Sequence, residues 1–465
     1  MAAVAGQHEN WSSRFGFLMA SVGFAVGLGN IWRFPYMTGE NGGAAFVLVY
    51  LVCAFAIGVP ILMAEVMIGR RGKLSPPASM AAVAEQEGTS KVWGAAGGMN
   101  LLTALTIQVF YCVIAGWVLS YFWKALNTGF VGIDASVAES TFNATVQDVP
   151  GMLLWTAIAL GVTGFIIYRG VQDGIEKAVK VMMPTLFLLL VVLVIYHMFA
   201  GGFPEAVDYL FSADFSKITG AVWLAAIGQA FFSVGVGMAG MMTFGAYLPK
   251  SISISKSVFI IVLADTFVAL LAGFAIFPAV FANGLDPQSG PGLIFKTLPV
   301  AFSQMPGGYG VSIVFFMLLS VAAITSMVGL LEPLISWAEE RKNTSRQKSA
   351  VIITLITAAI SVLSILAFSG KMTWTLSDIF AIKPEDPGSF LYLTFGDLMD
   401  AFSSRLLLPL GGLFIAIFAG WFISRKSSFE ELDIHNPLVY QAWRFFIRFV
   451  APVAVLIILF RGITE

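Results

Sequence analysis

Eleven runs of predominantly apolar residues follow one another along the chain, at roughly 15–38, 44–69, 93–123, 151–168, 178–199, 218–247, 256–281, 309–338, 349–368, 394–423 and 437–460. A helix needs about 20 such residues to cross the hydrocarbon core of a bilayer, and there every backbone N–H and C=O must find a partner inside the protein. Chains of this kind are therefore confined to helix bundles or closed barrels, and runs of this length select helices. Composition agrees: 58% of residues are hydrophobic and 11% charged, and mean hydropathy is +0.86. These values describe an all-α integral membrane protein. No hydrophilic block is large enough for a second domain, so residues 1–465 are read as one.

A net charge of −1, without a basic run interleaved with aromatics, excludes a nucleic-acid partner. Cys53 and Cys112 both lie inside apolar runs, as small buried hydrophobes. The residues ahead of the first run lack the basic region and the small-residue site of a cleaved signal, so that run is predicted to be a retained span. Lys and Arg in alternate connectors number sixteen on the side of the N-terminus and six on the other. This bias predicts a cytoplasmic N-terminus and, after eleven crossings of the cell (inner or plasma) membrane, an external C-terminus.

Two short strings nearly repeat, FAVGLG at Phe24 to Gly29 and FSVGVG at Phe232 to Gly237, each inside a long apolar run. Glycine costs about 0.8–1 kcal/mol relative to alanine in a helix interior, so two or three together mark a break. Close helix packing through small residues is the alternative reading of either string alone. Their duplication favours breaks, because runs one and six are corresponding members of two five-helix halves, about 15–199 and 218–423. An odd number of crossings inverts the second half relative to the first, and an extra helix at about 437–460 remains. Paired breaks at the midplane of inverted repeats are where transporters bind substrate and ions. Gly235, Gly237 and Gly240 also fit a dinucleotide-binding spacing, which has no meaning inside an apolar span.

Ionisable residues within spans are functional candidates, with structural ion pairs as the alternative. Here they are Arg33, Glu65, Asp265, Glu332, Asp397, Asp400 and Arg405, with neutral oxygens from Asn30, Gln229, Ser233, Thr325 and Ser326. Such a set suits a hard cation and not zinc or copper; composition does not separate sodium from potassium or a proton. No hydrolytic constellation is present, so no enzyme is expected.

The segments GFAVGLGNIWRFPY (23–36), ENGGAAF (40–46), GVPILMAEVMIGR (58–70), GQAFFSVGVG (228–237) and AITSMVGLLEP (323–333) resemble the neurotransmitter:sodium symporter family. The resemblance runs from Trp11 to about the end of the eleventh span and is nearest to bacterial transporters of hydrophobic amino acids. It implies a LeuT-like inverted 5+5 repeat with helices one and six interrupted at the midplane. It further implies two sodium sites, the first built from the Ala25 carbonyl, Asn30, Ser233, Asp265 and the substrate carboxylate. The second would use the carbonyls of Gly23, Val26 and Ala322 with the hydroxyls of Thr325 and Ser326. The implied substrate pocket comprises Ala25, Gly27, Leu28, Gly29, Ile107, Tyr111, Phe232, Ser233, Gly235, Met238, Ser326 and Leu330. Arg33 and Asp400 would form an outer gate under the Phe232 lid, and Trp11, Glu340 and His8 an inner one.

Gly27 stands where amine-transporting relatives carry an Asp, leaving room for a carboxylate, so the resemblance implies an amino-acid substrate. Asp265 stands where many relatives carry Asn, and its fixed charge is expected to make transport chloride-independent. Gly235 and the adaptable thioether of Met238 are expected to admit branched and aromatic side chains, tryptophan included. Gly174 and Pro184 match a spacing linked to local unwinding of the fifth helix, although a helix start and a proline kink explain them unaided. The expected function is sodium-coupled symport by alternating access, with the bilayer as the other partner and no obligatory protein partner. A ligand-binding channel or receptor-like module without concentrative transport is the alternative.

Overall fold

The computed structural model describes residues 9–287, 292–373, 375, 378 and 393–464, with side chains through residue 460. Among them, no strand occurs. The helices in chain order are α1 (Arg14–Ala25), α2 (Gly29–Glu40), α3 (Ala44–Gly72), α4 (Pro76–Gln86), α5 (Lys91–Thr128), α6 (Ala135–Gln147), α7 (Val149–Tyr168), α8 (Val171–Ala200) and α9 (Phe203–Phe211). There follow α10 (Gly220–Val234), α11 (Gly240–Ala246), α12 (Ile254–Ala282), α13 (Leu298–Gln304), α14 (Gly308–Lys342), α15 (Arg346–Phe368), α16 (Phe395–Phe422), α17 (Arg425–Leu432) and α18 (Pro437–Phe460).

Nine of these are long and apolar enough to span a bilayer among the described residues, and α1 with α2 makes a tenth, bent by 48° at its break. The remaining expected crossing, the sixth, is present as two arms, α10 and α11, of 15 and 7 residues. Neither arm is long enough to cross alone. Helix ends carry the usual chemistry: Ser13 accepts the Gly16 N–H at 3.0 Å, Asp134 that of Val137 at 2.8 Å, and Thr219 that of Val222 at 3.4 Å. These caps satisfy donors that an isolated helix leaves open.

Connectors hold more helix than sequence reading expects. The stretch Gly129 to Gly151, between the third and fourth apolar runs, contains α6, and α4, α9 and α17 are likewise short helices outside the spans. Their polar residues hide the helical period that a search for long apolar runs detects. α8 begins at Val171, seven residues before the expected boundary, with Gly174 in its first turns and Pro184 inside a continuous helix. No unwinding is present at that spacing here.

α5 and α14 pack along each other through the centre of the molecule, and α3 lies against both arms of the sixth element. The approach of α3 to α11 depends on small residues: a Cβ on Gly69 would fall 1.9 Å from the Met242 carbonyl oxygen. This scaffold places both breaks at the centre, flanked by α3, α5, α12, α14 and α16.

Candidate functional site

The first break begins where Val26 leaves helical geometry (φ −75°, ψ 92°) and ends as the chain resumes at Gly29. The second needs left-handed backbone at Gly235 (φ +73°), Gly237 (φ +77°) and Ala239 (φ +62°); glycine adopts this without the Cβ penalty that Ala239 bears. Side chains from neighbouring helices supply the partners that lipid cannot. The Leu28 N–H donates to the Tyr111 hydroxyl at 3.1 Å, the Gly237 N–H to a Glu65 carboxylate oxygen at 2.7 Å, and Gln229 Nε2 to the Gly29 carbonyl at 2.9 Å. Each break is thereby held open as polar backbone inside protein.

Beside the breaks, four helices contribute one buried polar cluster. Asn30 Nδ2 donates to Asp265 Oδ1 at 2.7 Å, to the Asp265 carbonyl at 3.1 Å and to Ser233 Oγ at 3.1 Å. Ser233 Oγ donates to Asp265 Oδ2 at 2.7 Å, and the Tyr50 hydroxyl lies 3.2 Å from Ser233 Oγ and 3.4 Å from Asp265 Oδ2. All four side chains are fully buried. A carboxylate so deep is tolerable only with several donors around it. Tyr50 escaped sequence reading because a lone Tyr in an apolar run looks like core, and only its hydroxyl, at the end of the ring, enters the cluster.

A second group lies on the other side of the first break. Ser326 Oγ is 3.4 Å from the Gly23 carbonyl and 3.2 Å from that of Phe24, and Thr325 Oγ1 donates to the Ala322 carbonyl at 3.0 Å. A Cβ on Gly23 would fall 3.2 Å from Thr325 Cβ, and one on Gly27 only 2.2 Å from Ser326 Oγ and 2.9 Å from the Tyr111 hydroxyl. Oxygens from α1 and α14 therefore face each other across the break. Among the described residues, no cluster of His, Cys, Asp and Glu suits a softer metal.

A cavity of about 500 Å³ opens from these breaks toward the face that carries α6. Leu28, Gly29, Tyr111 and Phe232 form its floor, Trp32, Phe110, Ile114 and Trp117 its wall, and Phe142, Lys296, Asp397 and Asp400 its mouth. That volume lies within the range of about 300–1,000 Å³ typical of small-molecule sites. Arg33 and Asp400 both line it, but no ion pair within 4.0 Å joins them, and the Arg33 guanidinium stacks 4.6 Å from the Phe232 ring centroid. The two residues expected to form the outer gate thus border the same cavity without touching each other.

Ala25, Gly27, Ile107, Ser233, Gly235, Met238, Ser326 and Leu330 lie outside the cavity lining; those with side chains are buried. At Gly235 the structure departs from the expectation of substrate space: a Cβ there would meet Phe24 Cε1 at 2.9 Å. Phe24 occupies the volume that the missing side chain leaves.

The opposite face is closed by bonds not foreseen in the sequence. Trp11 is buried, its Nε1 donating to the Phe244 carbonyl at 2.9 Å and its N–H to that of Tyr247 at 3.0 Å. Glu340, expected beside Trp11 in the inner gate, instead accepts the Ser75 N–H at 2.6 Å; His8 lies outside the described residues. One ionic link at this face joins Glu332 to Arg346 at 2.7 Å, with Tyr247 donating to the same carboxylate at 2.6 Å. Glu176 accepts from the Ser12 N–H, the Ser12 hydroxyl and the Ser13 hydroxyl at 2.6–2.8 Å.

Comparison with known proteins places this geometry. The chain matches the Sodium:neurotransmitter symporter family over residues 8–132 and 138–465. It is 33% identical to an uncharacterised sodium-dependent transporter of Bacillus subtilis, YhdH, over 96% of each chain. With the sodium-dependent dopamine transporter of Bos taurus the identity is 26%, over 96% of this chain and 68% of that one. The crystal structure of MhsT in complex with L-phenylalanine superposes with a TM-score of 0.86 at 38% identity, covering 98% of this chain and all of MhsT. The fold is that of MhsT and LeuT, and the chain belongs to the sodium:neurotransmitter symporter family.

Proposed function

We propose that this protein imports hydrophobic and aromatic amino acids by sodium-coupled symport, using two sodium sites and no chloride. The observation that carries the proposal is the buried Asn30–Ser233–Asp265 cluster at the meeting point of both breaks. A sodium ion there would draw on the Ala25 carbonyl, the Ser233 hydroxyl and the Asp265 carboxylate. Asn30 would first turn its amide, because Nδ2 and not Oδ1 faces the cluster. Asp265 supplies a fixed negative charge beside the cation, which is the physical basis for chloride independence. The second ion would lie between the carbonyls of Gly23, Val26 and Ala322 and the hydroxyls of Thr325 and Ser326.

At Gly27 the Ser326 and Tyr111 hydroxyls stand where a side chain would, so a substrate carboxylate at this break would meet two hydroxyl groups beside the first ion. The apolar, aromatic cavity above suits a large side chain, and MhsT, bound to L-phenylalanine in its crystal structure, supports an amino acid as cargo. With the N-terminus cytoplasmic, as the Lys/Arg bias favours, the cavity faces outward and the Trp11 face is the closed inner side. Transport would then proceed within one domain, in which the repeats at about 15–199 and 218–423 rock past each other.

Proteoliposomes carrying the purified protein provide the test. An inward sodium gradient should drive concentrative, saturable uptake of phenylalanine, tryptophan and leucine, unaltered when gluconate replaces chloride. Dissipation of gradients without accumulation would indicate a channel, and tighter binding of glycine than of leucine or tryptophan would overturn the substrate class.

A further inference from the structure

Far from both breaks, where α16 ends and α17 and α18 pack against it, three arginines converge without a counter-charge. Arg444 reaches the end of α16, donating to the Ile423 carbonyl at 3.0 Å, the Ala419 carbonyl at 3.4 Å and Ser428 Oγ at 3.2 Å. One turn further along α18, the stem of Arg448 crosses Gly420, where a Cβ would fall 2.9 Å from Arg448 Cγ. Its guanidinium lies 4.3 Å from the Trp421 ring centroid and 5.8 Å from that of Phe449, and its buried Nε has no hydrogen-bond partner. Arg425 stands over Tyr440 at 6.0 Å, and Arg444 is within electrostatic reach of both other arginines.

Among the described residues, no carboxylate oxygen lies within 4.0 Å of any of the three. The nearby Glu431 is committed to Arg70 at 2.6 Å. Like charges at i and i+4 destabilise a helix, and they do so more strongly at the edge of a low-dielectric layer. Aromatic stacking relieves part of this cost but supplies no negative charge.

We propose that Arg425, Arg444 and Arg448 bind the phosphate of an anionic phospholipid. A lipid fits better than free phosphate because the arginines adjoin an apolar groove. Trp421, Phe422, Phe445 and Phe449 are exposed around the cluster, as aromatic side chains are at membrane interfaces. Phe449 also begins a groove of about 620 Å³ that continues along Val453 and Ile457 of α18, facing Trp223 of α10 and Val52 of α3. Headgroup charge and acyl surface thus run along one line. Basic pockets between spanning helices hold anionic headgroups in this way, each basic residue near the surface contributing about 1 kcal/mol.

Native mass spectrometry of the full chain, given equimolar phosphatidylglycerol and phosphatidylcholine, tests the proposal. The wild type should retain phosphatidylglycerol over phosphatidylcholine by at least about fivefold, the equivalent of one such contact. Arg444→Gln with Arg448→Gln should bring the ratio close to one, whereas Lys342→Gln with Lys348→Gln should leave it unchanged. A wild-type ratio near one, retention of the preference by the double arginine variant, or removal of the lipid by inorganic phosphate would each overturn the proposal. The wild-type ratio needs no substitution, so instability of a variant does not shield the idea.

Discussion

Asp265 and Asn30 link the first half of the chain to the second at 2.7 Å, and each is fully buried. Hydrogen bonds to charged groups are worth about 1.5–3 kcal/mol. Asn30→Ala and Asp265→Ala are each expected to raise the sodium concentration for half-maximal uptake at least about tenfold, since 1.4 kcal/mol is a factor of ten. Unchanged sodium dependence in both would remove the first ion site from these residues. Gly27→Ala tests the pocket floor: its new Cβ would press on Ser326 Oγ and the Tyr111 hydroxyl, and crowding of this kind costs about 1–3 kcal/mol. Calorimetry should record a loss of phenylalanine affinity of roughly tenfold or more. At this scale the sequence was readable where a residue type is costly in its setting, as with Asp265 or the paired glycines. Tyr50 and Phe24 were not, because an aromatic ring in an apolar run costs nothing and gives no sign of what its far end touches.

Among the elements, long apolar helices were legible and short polar ones were not. Hydropathy located every long span to within a few residues, except α8, whose first turns around Gly174 carry too many polar groups. These same turns fasten the N-terminal segment: Glu176 holds Ser12 and Ser13, while Glu9 accepts the N–H groups of Val171 at 2.7 Å and Gln172 at 3.2 Å. Glu176→Ala removes three acceptor contacts at once. Hydrogen exchange at the Ser12 amide should then accelerate at least about tenfold, since the net value of even one or two such bonds reaches that factor. The Leu248 amide, which bonds within its own turn to the Gly245 carbonyl at 2.9 Å, should not change. Equal acceleration at both amides would signify general loosening of the bundle instead.

For the whole molecule, a cavity open on one face and a closed opposite face fit one state of the proposed transport cycle. Ile114 lines the cavity wall, while the native Cys53 and Cys112 are buried. An Ile114→Cys variant should therefore react with a membrane-impermeant thiol reagent, and sodium with phenylalanine should slow that reaction severalfold by closing Arg33 onto Asp400. No protection by the two ligands together would contradict the gate. Moving two charges through 100 mV supplies about 4.6 kcal/mol, and a tenfold gradient of two ions adds about 2.8 kcal/mol. Tight coupling at that stoichiometry would support accumulation on the order of 10⁵-fold.

The two halves are also keyed to each other by Phe24, whose ring lies where Cβ atoms on Gly235, Gly240 and Gly329 would otherwise be, at 2.9, 2.5 and 2.1 Å. In a mutational library this makes inheritance at one position conditional on another. Gly329→Ala alone should lower the melting temperature, and Phe24→Ala, which removes Cδ2 and Cγ, the two atoms nearest that new Cβ, should lower it less in the Gly329→Ala background than on its own. The order in which such changes arise then matters: the ring must be lost before the socket at Gly329 can fill.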